Sequence, residues 1–213
     1  MKSIDLNGAK NLQLVRGGTD EWYWAMDYTN GDLYEAEELF QMKHDVECNR
    51  LYLVHYPDGK VYGPIPQAKS RYLGEPVYDN GAIAILMVDF AERMIHILRF
   101  DPAQGKAMET ARLPLSSVKD CYNLLLHTSP LTLTRQANDN TFEVIWPERA
   151  QFPIGETESF NFRESGKLYF TAWYEDPEYR EETVVRALQT GEILERFPGD
   201  IQIMPNGEKW HLE

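Results

Sequence analysis

Cysteine is scarce in this chain, long apolar runs are missing, and basic residues are outnumbered. Only Cys48 and Cys121 occur among 213 residues, without CxxC spacing. Neither a disulfide framework nor a thiolate zinc site is written there, and two thiols in a reducing cytoplasm are expected. No apolar stretch approaches a membrane span, and the opening MKSIDLNGAKN lacks the apolar core of a signal peptide. A cytoplasmic protein is the expectation. Lys and Arg number 21 against 34 Asp and Glu, a formal net charge of −13. Nucleic acids and anionic membrane surfaces, which need clustered positive charge, are thereby disfavoured. Basic proteins, cations and neutral ligands stay open as partners.

Catalytic signatures are missing as well. The chain contains no GxSxG, HExxH, GxGxxG or phosphate-cradling GxxxxGK[ST]. Its five histidines, His44, His55, His96, His127 and His211, follow no common spacing, so no metal site is assigned. No catalytic residue and no cofactor can be named. Helical periodicity is also rare; only YEAEELFQMKHDVE at 34–47 has apolar residues at helical spacing, and an extended segment fits it equally well.

What the sequence has in quantity is short strands. EWYWAMD, RLYLVHY, AIAILMVDF, MIHILRF, LTLTR, TFEVIW, KLYFTAWY and TVVRAL are rich in β-branched and aromatic residues. Several are apolar at consecutive positions, as strands buried on both faces are. The turns carry more information. One series reads YTNG, YDNG, HTSP, RESG and MPNG at 28–31, 78–81, 127–130, 163–166 and 204–207; from Gly31 to Gly207 is 176 residues, four intervals averaging 44. A second series, LNGAK, PDGKV, AQGKA, PERAQ and TGEIL, spans 132 residues from Gly59 to Gly191, three intervals averaging 44. Asn-Gly and Asp-Gly favour two-residue hairpins, because both central residues must take positive φ.

Two interleaved hairpin turns per period imply four strands per repeat, and a four-stranded repeat of about 40–45 residues is a propeller blade. The reading is therefore an all-β, five-bladed β-propeller forming a single domain over 1–213, with four or six blades, or an irregular β-sandwich, as the competing architectures. The blades are expected at 21–65, 74–114, 120–154 and 158–198, with 199–213 sharing the fifth blade with 1–16. Closure by strands from both termini would leave no lone hairpin and no open sheet edge.

The segments VVRALQTGEILERF at 184–197 and ILRFDPAQGKAMETARL at 97–113 resemble repeats of quinoprotein-type and related propellers, which carry a D-x-x-T-G-K-like turn between outer strands. The tryptophan expected after that turn is absent, since Ile193-Leu194 and Met108-Glu109 occupy its place. Quinone binding is not implied. The resemblance is to the superfold alone, and the Gly-His and Trp-Asp marks of WD40 repeats do not occur.

The five-blade reading places Glu21, Glu75, Asp120, Glu158 and Asp200 at the starts of the innermost strands, around one channel mouth. Such a ring would hold a hydrated cation or attract basic side chains, although solvated acidic loops explain the same residues. Trp22 stands one residue into an inner strand, where it could stack against a ligand. Trp24, Trp146, Trp173 and Trp210 are assigned to packing between blades. Long polar connections, LFQMKHDVECN at 39–49 and EDPEYREE at 175–182, gather on the same face, which adds Glu175, Asp176 and Glu178 to the candidate binding residues. Three functions follow: a non-catalytic module binding a protein or peptide at its acidic long-loop face, an accessory subunit of a larger assembly, or a small glycoside-acting hydrolase using channel carboxylates.

Overall fold

The computed structural model describes residues 1–27 and 31–213. Of the YTNG turn expected at 28–31, only Gly31 lies among the described residues. The chain divides into two compact units, Met1–Cys121 and Tyr122–Glu213. Each is built from small antiparallel sheets whose strands follow one another in sequence order, which is the β-propeller arrangement.

In the first unit, β1 (Lys10–Leu14), β2 (Trp22–Met26), β3 (Leu51–His55) and β4 (Lys60–Tyr62) form one four-stranded sheet. A nine-residue helix, α1 (Leu33–Gln41), interrupts the β2–β3 connection. Its start is written locally: the Asp32 side chain accepts from the Glu35 backbone N–H at 2.8 Å, and the Glu35 carboxylate accepts from the Asp32 N–H at 2.8 Å. This reciprocal cap satisfies two donors that a helix start leaves over. The second sheet holds β5 (Arg71–Leu73), β6 (Val77–Asp79), β7 (Ala82–Asp89), β8 (Met94–Asp101) and β9 (Lys106–Pro114). Here β5 and β6 both pair with β7, so the innermost position is one strand broken at 74–76. As its apolar run requires, β7 is buried at every residue but the first, and β8 is buried at Ile95–Leu98 and Phe100. Trp22, Trp24, Leu51 and Leu53 of the first sheet share a core with Ile83, Ile85, Leu98 and Phe100 of the second. Asn49, itself buried, clips the two together by donating to the Leu73 carbonyl (2.8 Å) and accepting from the Leu73 N–H (2.7 Å).

In the second unit, β10 (Leu124–His127), β11 (Thr132–Gln136), β12 (Thr141–Trp146) and β13 (Ala150–Pro153) form one sheet. The next comprises β14 (Glu158–Glu164), β15 (Lys167–Tyr174), β16 (Arg180–Ala187) and β17 (Ile193–Pro198). Phe142, Val144 and Phe152 from one sheet pack with Leu168, Phe170, Ala172 and Val184 from the other. The last element is a two-stranded sheet of β18 (Asp200–Ile203) and β19 (Lys209–Leu212).

Four turns of the first series, YDNG, HTSP, RESG and MPNG, each join two strands, whereas LNGAK of the second series has β1 after it and no strand before it. YDNG joins β6 to β7 and RESG joins β14 to β15, with φ of 48° and 79° at Asn80-Gly81 and 50° and 76° at Ser165-Gly166. The N-terminus departs from expectation. The segment expected to share a sheet with the C-terminal hairpin instead pairs with β2, placing Leu14 opposite Tyr23, while Leu212 pairs with Asp200. The physical cause is Gly17-Gly18, whose φ values of 114° and 94° return the chain onto the edge of β2. The first sheet thus begins at Lys10 rather than near residue 21, and Glu21 precedes a second strand, not a first.

Candidate functional site

The strand pair β15–β16 and its connection present exposed aromatic and acidic side chains close together in the chain. Alternation along β15 sends Leu168, Phe170 and Ala172 into the core and Tyr169, Thr171 and Trp173 to the opposite face. Trp173 lies opposite Glu181 in register and is 43% exposed. Beyond Tyr174 the chain leaves the sheet, and residues 175–180 are exposed throughout. Arg180 brings it back: its guanidinium donates to the Asp176 carbonyl at 2.9 Å and sits 4.5 Å over the Tyr174 ring. Tyr179 is 67% exposed and donates its hydroxyl to Glu181 at 2.7 Å. That bond, with desolvation and the negative charges of Glu181 and Asp200, holds the phenol above its ordinary range. Asp200 joins the group because the Thr171 hydroxyl donates to its carboxylate.

The carboxylates expected around a channel mouth have separate local fates. In the first unit, Glu21 is exposed before β2, and Glu75 pairs with Arg16 at 2.7 Å. Asp120 lies near α1, where its charge, after the larger effect of Glu38, helps raise the Tyr34 phenol. In the second unit, Glu158 is buried, its two oxygens taken by Arg186 at 2.8 and 2.9 Å, with Arg196 at 3.6 Å. A carboxylate enclosed in this way holds the sheet together and is not presented to a ligand. Trp22 is likewise no platform. It is 8% exposed and packed against His55, Tyr62 and Phe100. Of the predicted set, Glu175, Asp176, Glu178 and Asp200 belong to the β15–β16 site. Among the described residues, no three His, Cys, Asp or Glu side chains come together as a metal ion requires.

Neither a protein-family model nor a curated protein sequence matches the chain. Among solved structures, a protein assigned as a dipeptidyl aminopeptidase IV from Bacteroides ovatus aligns over 75% of this chain at 9% identity and a TM-score of 0.40. The alignment spans 28% of that protein's length. A protein assigned as a 6-phosphogluconolactonase from Bacteroides uniformis aligns over 92% of this chain and 75% of its own, at 10% identity and a TM-score of 0.35.

The aromatic members of the site, Trp173 and Tyr179, escaped the sequence reading, which placed Trp173 between blades. A signal for them existed. Once Phe170 and Ala172 are assigned to the core, the period of two puts Trp173 on the other face, beside a connection too polar to cover it. Trp210 was misplaced for a related reason and is 52% exposed on β19.

Proposed function

We propose that this protein is a non-catalytic binding module that takes a basic segment of a partner protein at the β15–β16 end of the second unit. The supporting observation is the exposure of Trp173 and Tyr179 together with Glu175, Asp176 and Glu178. An aromatic face attracts a guanidinium or ammonium through its quadrupole, and neighbouring carboxylates supply its counter-charge. The surplus of acidic residues over the whole chain would speed encounter and make it salt-sensitive. As scaffold we propose five blades, the β18–β19 hairpin being the inner half of the fifth. A half-blade with an open edge also favours the second reading, membership of an assembly.

A peptide-display selection tests the binding site. Selected sequences should be enriched in Arg and Lys. The Trp173→Ala/Tyr179→Ala variant and the charge reversal Glu175→Lys/Asp176→Lys/Glu178→Lys should each weaken binding about tenfold or more, with the circular-dichroism spectrum unchanged. Selection of sequences without basic residues, or binding indifferent to both variants, would refute the reading.

A further inference from the structure

The β18–β19 hairpin is the one two-stranded sheet among the described residues, and its outer strand is exposed at every position. One of its faces is engaged. Lys209 bonds Glu164 at 2.8 Å and lies 5.0 Å over the Phe162 ring, while the His211 ring meets Phe197 edge-on at 5.2 Å. His211 Nε2 also lies 2.7 Å from the Pro198 carbonyl, and the Thr183 hydroxyl donates to the Gly199 carbonyl at 2.9 Å. The opposite face carries Trp210 and Leu212, which are 52% and 46% exposed. No strand pairs with the outer edge of β19 among the described residues. A docked, ordered strand with an open ladder and uncovered apolar side chains is a template for another strand.

The sequence of β19 indicates which strand. We infer that this edge receives β19 of a second copy of the same chain, antiparallel about a twofold axis at His211. In that register Lys209 stands opposite Glu213 of the second copy, and Trp210 opposite Leu212 of the second copy. By symmetry each pairing occurs twice. Every opposition is favourable or neutral: two opposite-charge pairs, two aromatic–aliphatic pairs, and one histidine pair at the centre. Moving the register by two toward the N-terminus puts Glu208 against Leu212 and Lys209 against His211, which removes the charge match. Pairing about His211 also yields the strand order β18-β19-β19-β18, four strands like the meanders that precede it in the chain. Trp210 and Leu212 from both copies would cover one another in one cluster. The residues varied here, Glu213 and Trp210, are not among those varied at the β15–β16 connection, so each proposal can fail without the other.

Sedimentation equilibrium over micromolar to near-millimolar concentration tests the inference. The unaltered protein should approach twice the monomer mass. Glu213→Lys should weaken association about tenfold or more, because it sets two pairs of like charges opposite one another. The Glu213 side chain is 85% exposed, with His211 Nδ1 3.8 Å away, and takes no part in the contacts by which Lys209 and His211 dock the hairpin. Trp210→Ala should abolish association, because it removes half of the aromatic–aliphatic cluster. A protein monomeric at every concentration overturns the inference. So does a dimer indifferent to Glu213→Lys and Trp210→Ala, or strong hydrogen-exchange protection, in the monomer, of those β19 amides that point away from β18.

Discussion

Single side chains decide where charge can be buried. Glu158 and Arg186 sit under the surface of the second unit with two hydrogen bonds between them, and Arg186 further donates to the Gly191 carbonyl at 2.7 Å. Removing one member leaves an uncompensated buried charge, whereas an apolar pair of similar volume would not. Glu158→Ala should therefore cost about 3–5 kcal/mol in urea unfolding, and Glu158→Leu/Arg186→Met should recover much of that loss. In the first unit Asp89 feels opposing influences. Burial pushes its carboxyl up, but the Arg71 guanidinium at 2.7 Å and the Glu92 backbone N–H at 2.9 Å bring it below its ordinary value. The unfolded chain then binds the proton more readily than the folded one. The contribution of the pair is complete above the unfolded carboxylate pKa of about 4 and is lost as pH falls through the lower folded value. Asp89→Asn should accordingly flatten the acid limb of the stability curve, and an unchanged limb would assign that limb to other carboxylates. Burial likewise raises the Cys48 thiol. Its alkylation at pH 8 should be slower than that of a free thiol, and the reaction should speed up on denaturation.

Elements were legible where their chemistry is local. Asn80-Gly81 and Ser165-Gly166 need positive φ and have residues that accept it, so the hairpins they close could be placed from the sequence. The Asp32–Glu35 reciprocal cap was equally readable in principle and would have decided the segment 34–47 in favour of a helix from Leu33 to Gln41. The edge chosen by β1 was harder to see, because Gly17-Gly18 lies outside both turn series. At the other end of the chain, Gly199 links β17 to β18 with φ of 88°, and a Cβ there would run into the Leu212 carbonyl. Gly199→Ala should detach the hairpin from the β14–β17 sheet. A destabilisation of about 1–3 kcal/mol and faster hydrogen exchange in 200–212 are expected, with the first unit unaffected.

At the scale of the molecule, a formal charge of −13 on 213 residues means that acidic side chains repel one another in the folded state more than in the expanded chain. Raising ionic strength from low to physiological should increase the melting temperature by a few degrees. A fall would mean that ion pairs such as Arg16–Glu75 and Arg112–Glu92 outweigh the net repulsion. The sequence by itself determined the strands, the four-strand meander, the 44-residue spacing of turns and the acidic balance, because each is set by neighbours along the chain. Only the tertiary structure decided which edge the N-terminal strand joins, that Trp22 is core, and that Glu158 is enclosed by Arg186. Those outcomes depend on which surfaces meet, and local residue patterns cannot specify contacts between segments far apart in the chain.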